Sequence, residues 1–339
     1  MRVGILDQSP VRSGGTPADA VHETLELARA AERWGYYRYW LAEHHSTPGL
    51  AGTSPEVLIA QVAAITSHIR VGSGGVMLPH YSALKVAEQF RMLETLHPGR
   101  IDLGIGRAPG SDQRTARVLR HGVGALGIEH YPRQIQDVVA FLHDDLPADH
   151  PWRGVHAMPS GAGMPEVWLL GSSDESALLA AVLGQSFCFA HFINEHGGAE
   201  VTRAYRARFC PSPDLAAPRS SVAVFAVCAD SEEEARRLAR SRDLFIVRLY
   251  TGRPGAYPSV EEAERYPYNA QEAAIAQHAS RRSVVGTPEQ VRERLLAMAA
   301  EYEADELILV TITHDFKARL RSYELLAEAF DLPGDKENP

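Results

Sequence analysis

The sequence has few of the residues and segments that mark several classes of protein. Its 339 residues include only three cysteines, and no two of them are spaced as a CxxC pair. An odd, widely spaced set argues against a disulfide framework and fits a reducing compartment. Apolar runs are short, as at 178–183, and fall far below the roughly 20 residues that a membrane-spanning helix needs.

Positive charge is also scarce. Lys and Arg number 34 against 43 Asp and Glu, a net charge of −9, and no basic cluster stands out. We therefore expect neither a nucleic-acid partner nor an anionic membrane surface. The first residues, Met1–Asp7, predict a strand rather than a signal peptide. With 45% hydrophobic and 23% charged residues, the composition predicts a globular, cytoplasmic protein with a large core.

Short apolar runs alternate with helical patterns along the chain. The eight predicted strands are Val3–Leu6, Tyr39–Ala42, Ile69–Gly72, Ile101–Ile105, Val167–Leu170, Ser186–His191, Ser221–Val227 and Glu306–Val310. A helical pattern follows each strand, which predicts an α/β fold with a (β/α)8 TIM barrel. A doubly wound sheet is the competing architecture, but eight successive units favour a closed barrel.

The barrel is expected to be one domain over residues 1–330, followed by a flexible C-terminal tail at 331–339. Longer connections predict insertions near 108–132, 146–165 and 252–267. The first and third of these insertions are long enough to act as lids over the barrel mouth.

Chemistry in such barrels lies at the carboxyl ends of the strands, and the second predicted strand ends in Glu43-His44-His45. Successive side chains of an extended segment point to opposite faces, so only one histidine should face the mouth. One imidazole acting as an acid/base or contacting a cofactor is one interpretation. A zinc hydrolase built on His44 and His45 is an alternative, as is a structural histidine that bonds loop carbonyls.

Three other strand ends predict a binding site for a flat, phosphorylated cofactor. Gly74 and Gly75 follow the third strand, where the lack of Cβ atoms allows a ligand to approach the backbone. Arg107 follows the fourth strand and offers a fixed cation for a phosphate. Hydroxyl groups follow the fifth strand at the start of a helix, a common anion site; they belong to Ser172, Ser173 and Ser176.

At these residues the sequence resembles the bacterial luciferase-like flavin-dependent monooxygenase family. The motifs that carry the resemblance are Leu41–His45, Ile69–Pro79, Ala87–Phe90, Pro98–Arg107 and Val285–Val291. They occur in the order of the family and extend over nearly the whole chain.

The resemblance implies FMN as the cofactor, bound at the carboxyl ends of the barrel strands. A non-proline cis peptide of the family maps onto Gly74-Gly75, under the flavin ring. The phosphate site of the family maps onto Arg107, Ser172, Ser173 and Ser176. Glu88 matches an acidic residue near the pyrimidine edge of the flavin, and His44 matches an active-site acid/base. No metal is implied.

The implied activity is monooxygenation of a small organic substrate by oxygen and reduced FMN, with a separate NAD(P)H-dependent flavin reductase as partner.

A homodimer is expected through the helices after the second and third strands, because Val57, Leu58 and Ile65 make the first of these helices apolar over a wide arc. Luciferase has an acidic residue and a cysteine where this chain has Ser172 and Gly106, which puts light emission in doubt.

Two alternatives keep the fold but change the activity. One is hydride transfer from a reduced deazaflavin, which some members of the superfamily use. The other is a flavin-binding protein without catalysis. The organic substrate is not specified by the sequence, because its pocket is expected to be built from the insertions.

Overall fold

The computed structural model describes residues 1–108, 110–120, 127–161 and 163–334. Within these residues ten strands form one sheet. In chain order they are β1 (Arg2–Asp7), β2 (Arg38–Leu41), β3 (Arg70–Ser73), β4 (Val76–Met77), β5 (Ile101–Gly106), β6 (Glu166–Gly171), β7 (Ser186–Ala190), β8 (Ser220–Cys228), β9 (Ser283–Gly286) and β10 (Glu306–Val310).

Eight of these strands close into a parallel barrel. Hydrogen bonds join them in the order β10, β1, β2, β3, β5, β6, β7 and β8, and β8 pairs again with β10. They are the eight predicted strands, with ends that agree to within one residue. The (β/α)8 TIM barrel is thus confirmed, whereas a doubly wound sheet would leave two open edges. Because the first strand pairs with the last, we propose that residues 1–330 form one domain.

Two short strands outside the barrel ring were not predicted from the sequence. β4 pairs with the end of β5, so that Met77 lies beside Gly106. β9 pairs with the second half of β8, from Phe225 to Cys228. β4 matters for function because it extends the sheet at the barrel mouth, directly after Gly74 and Gly75.

Helices follow the strands in the manner that the sequence predicts. They are α1 (Pro17–Arg33), α2 (Pro55–Ala64), α3 (Ala83–Leu96), α4 (Gln113–Leu119), α5 (Tyr131–His143), α6 (Asp174–Val182), α7 (Gly198–Ala207), α8 (Glu232–Tyr250), α9 (Val260–Arg265), α10 (Ala270–Arg281), α11 (Pro288–Glu301) and α12 (Phe316–Ala329). Short 3-10 turns cover Leu78–His80 and Ile128–His130. Two of the helices, α4 and α9, lie inside segments expected to be irregular insertions.

Capping residues explain why several helices begin where they do. Ser231 accepts a hydrogen bond from the Glu234 backbone at the start of α8, and Thr287 forms a capping box with Gln290 at the start of α11. Ser54, the predicted cap of α2, makes no side-chain cap bond. The proline at the first position of α2 lacks an N–H group and fits a helix start without that bond.

Buried charges close the end of the barrel at which the strands begin. Arg38, the first residue of β2, is fully buried and contacts the carboxylates of Asp102, Glu166 and Glu306. The Arg38 Nε atom lies 2.8 Å from Glu306 Oε2. A buried cation with several carboxylate partners is compensated and hydrogen-bonded. The opposite end, where the strands finish, remains open to a ligand.

The third predicted insertion is held against the barrel rather than free. The Tyr257 backbone N–H donates to Val11 O at 2.7 Å, and the Ser13 N–H donates to Tyr257 O at 2.7 Å. The Tyr257 ring also stacks on Phe245, with 4.1 Å between ring centroids. These contacts therefore argue against a mobile lid at 252–267.

Parts of the other predicted segments fall outside the described residues. These are residues 109 and 121–126 of the first insertion, residue 162 of the second, and residues 335–339 of the predicted tail. Within the part of the tail that is described, Leu332 packs against the core and its N–H donates to Ala327 O at 3.0 Å.

Candidate active site

A cavity of about 210 Å³ lies at the carboxyl ends of the barrel strands. Six of the seven residues predicted to bind a cofactor line it. They are Gly74, Gly75, Arg107, Ser172, Ser173 and Ser176. They come from the ends of β3, β5 and β6 and from the first turn of α6, so the barrel topology alone brings them together.

Gly74 and Gly75 form a platform at which any side chain would force the neighbouring residues to move. They are joined by a cis peptide bond, as the family resemblance implied. A Cβ atom on Gly74 would lie 2.5 Å from Leu6 Cδ1, and one on Gly75 would lie 2.4 Å from Leu170 Cδ1 and 2.8 Å from Gly104 O. A side chain at either position would therefore displace its neighbours. The result is a flat strip of backbone at one wall of the cavity.

Free hydroxyl groups and one cation lie at another wall. Among the described contacts, none involves the side-chain hydroxyls of Ser172, Ser173 or Ser176. Ser173 is the N-cap of α6 yet makes no side-chain cap bond, so its hydroxyl and the first N–H groups of α6 are available to an anion. Arg107 donates a hydrogen bond to the carboxylate of Glu175 in the first turn of the same helix. Three free hydroxyls, helix N–H groups and a guanidinium fit a phosphate group.

The rest of the cavity wall is apolar. Trp40, Phe192, Ile193 and Ile308 contribute to it. Cys188, which the sequence analysis did not select, also lines the cavity, and burial raises its pKa to about 12, so the group is a neutral thiol. The alternation of inward and outward residues along β7 is the signal that could have identified it. The cavity therefore contains a thiol, but β7 provides it, whereas position 106, where luciferase has a cysteine, is a glycine in this chain.

His44 and His45 have different surroundings in the structure. His44 does not line the cavity, and its Nδ1 atom is buried without a hydrogen-bond partner. Burial and the neighbouring His45 lower the pKa of His44 to about 4, so this imidazole is neutral at pH 7. The His45 ring bonds instead to Glu43, with 2.7 Å between Nε2 and Oε1.

Glu43 is the centre of a buried polar cluster that sequence reasoning missed. Its side chain is almost fully buried, and it accepts hydrogen bonds from the Tyr81 hydroxyl at 2.6 Å and from the Met77 backbone N–H at 2.9 Å. Burial raises the pKa of Tyr81, and its bond to Glu43 raises it further. Because Met77 lines the cavity, the Glu43 carboxylate ties the second strand end to the edge of the glycine platform.

Glu88 is not brought to the cavity. It lies half-buried on α3, which packs against the neighbouring helices α2 and α5, and it is not among the cavity-lining residues. Its predicted contact with a cofactor stays a prediction without support from the cavity. The helical pattern of the sequence shows that Glu88 lies on a helix, but it does not show whether the side chain faces the cavity.

In the part of the chain that the structure describes, no group of three or more His, Cys, Asp or Glu side chains is placed to hold a metal ion. The pairing of His45 with Glu43 uses one of the two histidines on which a zinc hydrolase would depend. Among the described helices, none is long and apolar enough to cross a membrane.

Comparisons with known proteins agree on one family. The family model described as luciferase-like monooxygenase matches residues 1–305. The chain is similar to N-acetyl-S-alkylcysteine monooxygenase of Bacillus subtilis (strain 168), at 39% identity over 97% of this chain and 98% of that protein. A solved structure, that of apo-MsnO8, aligns with a TM-score of 0.88 and 40% identity over 98% of this chain and 99% of the other.

A more distant relative is the oxygenase component of the flavin-dependent trigonelline monooxygenase of Acinetobacter baylyi (strain ATCC 33305 / BD413 / ADP1). It is 24% identical over 82% of this chain and 80% of its own length. The family model covers most of the chain, and the closed barrel is the fold that the family resemblance implied. The protein therefore belongs to the luciferase-like monooxygenase family and is an oxidoreductase.

Proposed function

We propose that the protein is a monooxygenase that uses reduced FMN and molecular oxygen to oxygenate a small organic substrate. One observation carries the proposal: the side-chain-free strip at Gly74 and Gly75 and the hydroxyl-rich wall with Arg107 border the same cavity. A flat ring needs the first wall and a phosphate needs the second. FMN contains both groups in one molecule.

When bound, reduced FMN would supply the electrons that activate oxygen. The task of the chain is to hold the cofactor and to control its surroundings. Arg107, Ser172, Ser173 and Ser176 would bind the phosphate, and the strip at Gly74 and Gly75 would face the ring. The apolar wall formed by Trp40, Phe192 and Ile193 would exclude water from the ring.

His44 is the proposed acid/base. The low pKa keeps the His44 imidazole neutral at pH 7 and makes it a weak base, and its buried Nδ1 atom has no hydrogen-bond partner. His44 lies in the chain between Glu43 and His45, which bond to each other, and Glu43 also accepts a hydrogen bond from the Met77 backbone N–H at the cavity edge. We expect His44→Ala to lose coupled oxygenation while still binding the flavin, and full coupled turnover by this variant would remove His44 from the role.

A separate NAD(P)H-dependent flavin reductase is proposed as the source of reduced FMN. The description of one relative as an oxygenase component supports a division of labour between two proteins. Another relative is described as acting on N-acetyl-S-alkylcysteine, which contains a thioether. The apolar wall suits the alkyl part of such a molecule, so S-alkyl thioethers are the first substrates to test.

The proposal includes a homodimer formed through α2 and α3. Three large apolar side chains on these helices are exposed to solvent: Val57 at 64%, Met92 at 50% and Leu96 at 59%. Helices α2 and α3 contact each other, so the three side chains lie on neighbouring elements. An apolar surface on adjacent helices suits a contact with a second copy.

Anaerobic titration tests the cofactor directly. We expect reduced FMN to bind to the protein and reduced riboflavin, which lacks the phosphate, to bind at least tenfold more weakly, since charge-assisted phosphate contacts contribute strongly to binding. Arg107→Ala should remove most of this difference. Binding of a reduced deazaflavin but not of reduced FMN would overturn the proposal in favour of hydride transfer.

A second experiment tests catalysis. The protein with bound reduced FMN is mixed with oxygenated buffer and a thioether. The expected product is the sulfoxide, detected by mass spectrometry with one atom from labelled oxygen gas. A protein that binds reduced FMN tightly but oxidises no member of a broad substrate panel would support the non-catalytic flavin-binding alternative.

A further inference from the structure

Two arginines are buried beside the mouth of the barrel. Arg242 on α8 is 4% exposed, and Arg282, which directly follows α10, is 5% exposed. Burial of a cation is costly unless carboxylates compensate its charge, as they do for Arg38 at the other end of the barrel. The described contacts give Arg242 and Arg282 much less negative charge.

The hydrogen bonds of the two arginines go to neutral acceptors. Arg282 donates from Nη1 to Ile193 O at 2.6 Å, and its Nε atom is buried without a partner. Arg242 donates from Nη1 to Ala279 O at 2.8 Å and to Ser283 Oγ at 2.9 Å. Among the described residues, no carboxylate forms a hydrogen bond with either guanidinium.

The carboxylate of Asp243 lies near Arg242 but does not bond to it. Asp243 Oδ1 is 3.8 Å from Arg242 Nη1, which is beyond hydrogen-bond distance. Burial raises the pKa of Asp243 to about 6, with Arg242 opposing the rise. Burial also lowers the pKa of Arg242; Tyr257 and Asp243 oppose this change, and Arg282 adds to it. The two cations thus repel each other, and one carboxylate cannot neutralise both.

The contacts of the two arginines locate them at the rim of the cavity. The Arg242 guanidinium lies over the Phe225 ring, with 4.2 Å between its Cζ atom and the ring centroid. Phe225, on β8, belongs to the same buried cluster as Cys188, which lines the cavity. Ile193, whose carbonyl accepts from Arg282, also lines the cavity, and it is 54% exposed. Both cations are therefore attached to the side of the cavity that follows β7 and β8.

A carboxylate is the ligand that this pair of cations fits. Guanidinium groups form charge-assisted, often paired hydrogen bonds with carboxylates, and a second carboxylate would supply the negative charge that Arg242 and Arg282 lack. The anion wall proposed for the cofactor phosphate follows β5 and β6 and contains Arg107. An anion on the side of β7 and β8 would therefore come from another molecule, and the organic substrate is that molecule.

We propose that Arg242 and Arg282 bind a carboxylate group of the substrate, which makes carboxylate-bearing thioethers the substrate class of this protein. The inference rests on the proposed oxygenation of thioethers. The alkyl part of such a substrate would contact Phe192 and Ile193, which line the cavity on the same side. A charge at one end and an apolar contact at the other would then hold the substrate in one orientation.

Paired probes that differ in one charge test the inference. The full-length protein, with and without reduced FMN, is titrated anaerobically with N-acetyl-S-methylcysteine and with its methyl ester, which keeps the thioether but is neutral. We expect the wild type to bind the acid at least tenfold more tightly than the ester, as for hydrogen bonds between charged groups. Arg242→Gln and Arg282→Gln should each remove most of this preference, and neither should change the affinity for reduced FMN.

Arg281→Gln is the matched control. Arg281 is exposed at the end of α10, so this variant removes the same charge one residue earlier and should keep the acid-to-ester ratio of the wild type. Arg282→Lys retains a cation and should retain part of the preference, although less than arginine because an ammonium cannot form paired bonds. Melting temperatures of the ligand-free variants identify any that fail to fold.

Several outcomes would overturn the inference while leaving the use of FMN intact. These are equal binding of acid and ester by the wild type, binding of neither probe, and equal losses in Arg282→Gln and Arg281→Gln. Weaker binding of reduced FMN by Arg282→Gln would assign the site to the cofactor and would overturn the inference as well. A wild type that prefers the acid but does not bind reduced FMN would instead overturn the proposed function and leave the carboxylate site.

Discussion

The guanidinium of Arg107 donates a hydrogen bond to the carboxylate of Glu175, which joins the end of β5 to the first turn of α6. Arg107 and the three free serine hydroxyls line the same cavity. The pair is partly solvated, with 34% of the Arg107 side chain and 68% of the Glu175 side chain exposed. Its contribution to folding is therefore small, and its main effect is on which anion Arg107 can bind.

Replacement of Glu175 by Gln should strengthen the binding of reduced FMN. The variant removes the carboxylate that occupies Arg107 and repels a phosphate, so we expect a several-fold lower dissociation constant and a nearly unchanged melting temperature. Isothermal titration at low and at moderate salt measures the effect. Asp174→Asn is the control, because it removes the same charge one residue earlier, and Asp174 forms no ion pair with any described residue. Equal gains in both variants would mean that only net charge matters.

A substitution in the glycine platform should lower both the stability of the protein and its affinity for the flavin. Gly75→Ala places a Cβ atom against Leu170 and the Gly104 backbone, so it should cost about 1–3 kcal/mol of unfolding free energy and weaken flavin binding. Gly106→Ala is a matched change in the same cavity, and its nearest contact would be Met77 Sδ at 3.3 Å, an atom on a flexible side chain. Urea unfolding and FMN titration of both variants should show a large effect only for Gly75→Ala.

The low pKa of His44 predicts how stability depends on pH. In the folded protein the pKa is about 4, whereas an unfolded histidine titrates near 6.5. Between these values the unfolded chain binds more protons, so this residue contributes stability that is present above pH 6.5 and is lost as the pH falls toward 4. His44→Gln lacks this proton uptake.

The difference in unfolding free energy between wild type and His44→Gln should therefore change by roughly 2–3 kcal/mol between pH 6.5 and pH 4. Urea titrations at several pH values measure it. A difference that stays constant over this range would mean that His44 titrates normally and is solvated in the folded state.

The proposed dimer is tested by a charge placed on its surface. Val57→Glu on α2 should convert the wild-type dimer to a monomer, as measured by light scattering during size-exclusion chromatography, because burial of an unpaired carboxylate is costly. Val182→Glu is the control, since Val182 at the end of α6 is equally exposed, at 66%. A wild type that is already monomeric would show that the apolar side chains of α2 and α3 serve another purpose.

The sequence by itself determined the barrel and most of the cofactor wall. Strand and helix periodicity are local properties, and caps such as Ser231 and Thr287 act within three residues. Once eight parallel strands close, their carboxyl ends meet at one rim, so residues that follow strands, such as Gly74, Arg107 and Ser172, are bound to converge.

Only the tertiary structure decided which side chains pair with one another. The bond from His45 to Glu43 and the ion pair of Arg107 with Glu175 both depend on the distance and direction between elements that are far apart in the chain or turned by a loop. The same is true of Glu88, which α3 holds away from the cavity, and of Cys188, which β7 turns into it. A sequence states the order of these residues, whereas hydrogen-bond partners are selected by packing, where tenths of an ångström decide whether a contact forms.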